Sequence, residues 1–86
     1  MKVSNLTAFV DRENAFAAVF GRPTLSLQSA KDRQAIANRL DSALSPENLA
    51  CDGEIPRAEV ARRYRFLTGA AKELLALDSS VKMYEV

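Results

Sequence analysis

Between Pro56 and Leu77 the apolar residues Val60, Tyr64, Leu67, Ala71 and Leu74 recur at alternating gaps of four and three. That spacing stacks side chains along one side of an α-helix. At about 100° per residue, Phe66, Ala70 and Leu77 fall on the flank of this seam, so the apolar sector covers about half of the cylinder and calls for two covering neighbours. Pro56 suits the first helical position, where an N–H would have no intrahelical partner, and Asp78-Ser79-Ser80 supplies side chains that compete with the helix at its other end. The pattern predicts one helix over 56–77.

Upstream, Leu6, Phe9, Val10, Phe16, Ala17 and Phe20 approximate a second helical stripe over 5–20. Ser4 or Asn5 would cap it, and Gly21 followed by Pro23 would stop it. Asp11 is the alternative cap of a shorter helix starting near Arg12. Residues 22–28 read as a connector that tucks Leu25 and Leu27 against the core, with a short strand as the other reading. Ser29 and Asp32 have the spacing of a capping box and open a helix over 29–44 whose apolar positions are Ile36, Ala37, Leu40, Ala43 and Leu44. Ser45-Pro46-Glu47 repeats helix-start chemistry for a short turn over 46–50, which Asp52-Gly53 ends. The tail, 79–86, is rich in strand-favouring residues and lacks a second strand to pair with. It is expected to be an extended arm that lies on the helices or docks on another molecule.

The expected fold is therefore all-α: a three-helix bundle with an ordered elbow before a long C-terminal helix, in a single domain of 86 residues. Its core should be thin, because fourteen of the apolar residues are alanines, which favour helix but each bury little area. The single cysteine, Cys51, permits no disulfide within the chain and fits a reducing compartment. With no run near the ~18 apolar residues of a membrane span and no signal pattern at Met1, a cytoplasmic location is expected.

The absence of histidine removes the usual general base and the commonest metal ligand. Cys51, Asp52, Glu54 and Glu47 match no zinc or calcium spacing, and Gly21, Gly53 and Gly69 are too scattered to cradle a phosphate. Neither an enzyme nor a bound metal or cofactor is expected. Charge is uneven although the net is only +1: residues 45–56 hold three acids and no base, and residues 57–77 hold five bases and two acids. Arg62, Arg65 and Lys72 share the side of the long helix opposite its seam, where a phosphate backbone could be drawn and Gly69 would permit close approach. The plain alternative is a solvated helix face. Asp52 and Glu54 would either complement the start of the long helix and pair with Arg57, or form an epitope for a basic partner. Asn48 would satisfy loose backbone groups in its turn.

Glu47-Asn48-Leu49, followed two residues later by Asp52-Gly53-Glu54 and then by an arginine-rich helix, resembles a pattern in small proteins of phages and bacterial prophages. The resemblance spans residues 44–64 and implies a phage or prophage accessory protein of the bacterial host cytoplasm, with no established catalytic activity. Together these readings predict a non-catalytic protein–protein interaction module that contacts its partner through Asp52, Glu54, Phe66, Leu67 and Leu74, with a homodimer as one form of partner. The alternative is a nucleic-acid-binding regulator using Arg62, Arg65 and Lys72.

Overall fold

A computed structural model of the protein describes residues 4–50 and 56–85. Among these residues there are four helices, α1 (Asn5–Val19), α2 (Ala30–Leu44), α3 (Pro46–Ala50) and α4 (Arg57–Leu77), and no strand. The fold is all-helical with a long C-terminal helix. In place of three helices closed into a bundle, α1 and α2 each pack on α4 and have little direct contact with each other, while the short α3 bridges α2 and α4.

Local chemistry explains the helix ends. Ser4 Oγ accepts from Thr7 N at 3.1 Å and caps α1, which runs unbroken past Asp11. At the other end Arg22 N donates to Ala17 O at 2.7 Å around Gly21, whose φ of 68° a side chain would oppose, so the chain leaves α1 through a Schellman turn. Ser29 Oγ accepts from Asp32 N at 3.4 Å, but the Asp32 carboxylate takes Ser26 N (3.0 Å) in place of Ser29 N, so the capping box is only half formed. Aspartate is one methylene shorter than the glutamate that usually completes this box. In the elbow, Asn48 Nδ2 donates to Ser42 O at 2.5 Å and satisfies a carbonyl at the end of α2.

Helix directions follow from the long-range contacts. Leu6 N donates to the Glu73 carboxylate near the end of α4 (3.0 Å), whereas the Arg12 guanidinium lies over the Phe66 ring, so α1 is antiparallel to α4. Arg33, early in α2, pairs with Asp78 just past α4 at 2.7 Å, so α2 is antiparallel to α4 as well. Two parallel helices cannot be joined by a tight turn. The connector must return along the length of α1, about 22 Å at 1.5 Å per residue, and residues 21–29, when extended, reach about 30 Å. Asn14 holds its middle through two bonds, Nδ2 to Leu25 O (2.9 Å) and Leu25 N to Oδ1 (2.7 Å), and Arg33 donates to Leu27 O (2.8 Å). Leu25 and Leu27 pack on the core from this connector.

The core joins Leu6, Phe9 and Val10 of α1 to Ile36, Ala37, Leu40 and Leu44 of α2 across Leu67, Ala70, Ala71 and Leu74 of α4, with Val81 of the tail closing it. The tail lies along α2. Gln34 clamps Lys82 with a pair of bonds (2.9 and 3.1 Å), Asp41 accepts from Tyr84 N and Glu85 N, and Met83 packs on the core. Gly69 does not break α4; a Cβ there would fall on the Asn5 side-chain amide, which donates to Phe66 O at 3.4 Å. The close approach anticipated at Gly69 is thus made by α1, which leaves no room there for a phosphate.

Two expectations follow. The first turn of α1 holds no acid of its own, so Glu73 serves as a cap supplied by its neighbour; Glu73→Ala should cost about 1 kcal/mol in urea unfolding, and an unchanged midpoint would contradict this role. Asp78 has its pKa lowered from 3.8 to about 2, chiefly by the Ser80 hydroxyl (2.5 Å), then by Arg33 and by Ser80 N. Because the folded state holds this proton more weakly than the unfolded chain, the contribution is complete above about pH 4 and is lost as pH falls towards 2. Asp78→Asn should flatten the stability profile in that window, and an unaltered acid limb would refute the assignment.

Candidate functional site

The packing along α4 is lopsided. All its buried residues, Leu67, Ala70, Ala71 and Leu74, lie in its C-terminal half, and none lies between Arg57 and Phe66. Val60 is only partly covered and Tyr64 is half exposed, so the seam read from the sequence is a core seam from Leu67 onward and a surface before it. Where the first turns of α4 lie beside the second half of α1, an open groove of about 680 Å³ remains, with α3 and the end of α2 also lining it.

Phe16, Phe66, Leu67, Leu49 and Ala43 give the groove its apolar lining, and Arg12, Glu13, Glu59, Arg62, Arg63 and Asn48 supply the polar lining. The Arg12 guanidinium sits 5.7 Å from the Phe9 ring centroid and 5.9 Å from that of Phe66, which holds the charge against aromatic faces at the groove wall. Glu59 is shared between Arg62 (3.1 Å) and Arg63 (3.5 Å). Both are exposed i,i+3 or i,i+4 pairs, each contributing no more than about 0.5 kcal/mol. Beyond the groove, the last turn of α1 continues the apolar surface: Phe16 is 49% exposed, Val19 77% and Phe20 68%, with Arg22 over the Phe20 ring at 5.7 Å.

The expected site residues fall into different places. Phe66 is partly buried and lines the groove. Leu74 has no accessible surface and cannot anchor a partner, whereas Leu67, at 5%, is mostly consumed by the core and reaches the groove only as part of its lining. Arg62 lines the groove, whereas Arg65 and Lys72 are exposed elsewhere on α4. Asp52 and Glu54, with Cys51, lie outside the described residues. Sequence reasoning missed Arg12, Phe16, Leu49 and Arg63. The available signal was Arg12, Phe16 and Phe20 at successive gaps of four, which aligns them along α1 beside, and not within, the stripe of Leu6, Val10 and Ala17.

Among the described residues no cluster of three or more cysteine or acidic side chains could hold a metal ion, and no helix is long and apolar enough to cross a membrane. Comparison with family models, curated proteins and solved structures finds no match for the chain.

If the groove is surface and the Leu74 region is core, truncation should separate them. Phe16→Ala should alter unfolding free energy by less than about 1 kcal/mol, whereas Leu74→Ala should lose about 3 kcal/mol. Equal losses in urea titration would place Phe16 in the core and remove the groove.

Proposed function

We propose that this chain is a small non-catalytic interaction module whose receiving surface is the groove between α1 and α4. One observation carries the reading: Phe16 and Phe66 line an open concavity that continues into Val19 and Phe20, in a chain too short to leave large apolar groups uncovered without cost. A partner that covers them gains about 25 cal/mol per Å² of apolar surface removed from water. The arginines around the lining suit this role, since arginine and aromatic side chains are enriched where interfaces carry their energy. The resemblance at Glu47-Asn48-Leu49 fits an accessory protein of the phage or prophage type that modulates a host or bacterial complex. A second copy of the chain is one partner such a surface could take.

The competing use of α4, nucleic-acid binding through Arg62, Arg65 and Lys72, receives less support. Arg62 is engaged with Glu59, and Asn5 occupies the space at Gly69. Photo-crosslinking groups placed singly at Phe16, Arg65 and Lys72 and expressed in bacterial cells test the two readings together. A protein adduct specific to position 16 is expected. Adducts to nucleic acid at 65 and 72, with duplex binding that collapses between about 50 and 200 mM salt, would transfer the function to the other face.

A further inference from the structure

We infer that the occupant of the groove is an amphipathic helix carrying acidic residues beside its apolar anchors. This inference rests on the groove being the receiving surface. The walls are the second half of α1 and the first half of α4, each with a side left open among the described residues, which also offer no strand edge that an extended peptide could join. A third helix laid between them would complete the kind of packing that the C-terminal half of α4 already has. The stretch from Arg12 to Phe20 is about 12 Å long at 1.5 Å per residue, enough for two to three turns of a bound helix. Such a helix would present anchors at i, i+3 or i+4, and i+7 to Phe16 and Phe66.

Charge selects the kind of helix. Arg12 and Arg62 line the groove from its two walls, and Arg22 adds a further cation at the Phe20 end. Arg62 pairs with Glu59 at 3.1 Å, and a guanidinium has five N–H donors, so this one pair leaves others on Arg62 for a ligand. Arg12 is held over two aromatic rings and has no carboxylate within ion-pair distance among the described residues. A glutamate or aspartate beside a buried anchor would give Arg12 a charge-assisted partner at the edge of an apolar surface, where water is partly excluded. A lysine in the same place would face the Arg12 guanidinium.

Two fluorescent helical peptides of about four turns, with the same leucine and phenylalanine anchors and either glutamate or lysine flanks, test this against the isotope-labelled full chain by NMR and anisotropy. The glutamate peptide should shift the amides of Arg12, Phe16 and Phe66 and bind at least about tenfold more tightly than the lysine peptide. Arg12→Gln should shrink that ratio, and Arg65→Gln, away from the groove, should preserve it. Equal or reversed affinity at the same amides would overturn the acidic-helix inference while leaving the groove as a receiving surface. If neither peptide shifts those amides, the inference and the proposed surface both fall; if light scattering shows a dimer that neither peptide dissociates and whose formation shifts the same amides, the acidic-helix inference falls and the groove stands.

Discussion

The fold depends on α4 burying two sides at one height. Ala70 and Ala71 lie next to each other with no exposed surface, between Leu67 and Leu74. Alanine gives a helix neighbour almost no side chain to clear, so α1 and α2 can both approach the backbone of α4 and reach its leucines. Gly69 extends this into the contact with Asn5. A bulkier residue at 70 or 71 would push one neighbour off, because both positions belong to the one core cluster that joins the three long helices among the described residues.

Because so little apolar area is available, polar side chains supply much of the positional information. Glu73 caps a helix other than its own, Asn14 and Gln34 each hold an extended segment by paired amide bonds, and Asp41 collects two backbone N–H groups of the tail. Arg33 ties the connector to the end of α4 through Leu27 O and Asp78. Each such bond contributes about 1 kcal/mol net, which is a sizeable fraction of the stability available to a chain of this length. These bonds fix where the connector and tail run, and among the described residues they leave Phe16, Val19 and Phe20 of α1 exposed.

Much of the helical layout was legible because its signals are local. The alternating gaps from Val60 to Leu74 mark α4, Gly21 marks the end of α1, and Ser29 marks the start of α2. The heights at which neighbours stop were not legible. Periodicity identifies which side of a helix is apolar but not how far along that side another helix lies, so exposed Tyr64 and part-covered Val60 carry the same pattern as buried Ala71 and Leu74. The parallel course of α1 and α2 was hidden for the same reason: it is set by side chains distant in sequence, such as Glu73 to Leu6 and Asp78 to Arg33. The groove follows from that course, and its residues Arg12 and Phe16 carry no signature of their own in the sequence beyond their spacing along α1.

The division of α4 into a packed half and an open half is the central claim, and amide hydrogen exchange tests it directly. Amides buried in hydrogen-bonded structure that opens only with the whole fold exchange at the global rate, whereas those with few covering contacts exchange through local opening. Protection should be near the global limit from Ala70 to Leu74, should pass through Gly69 without a break, and should fall progressively from Phe66 back towards Arg57. Uniform protection along all of α4, or a sharp loss confined to Gly69, would contradict the account.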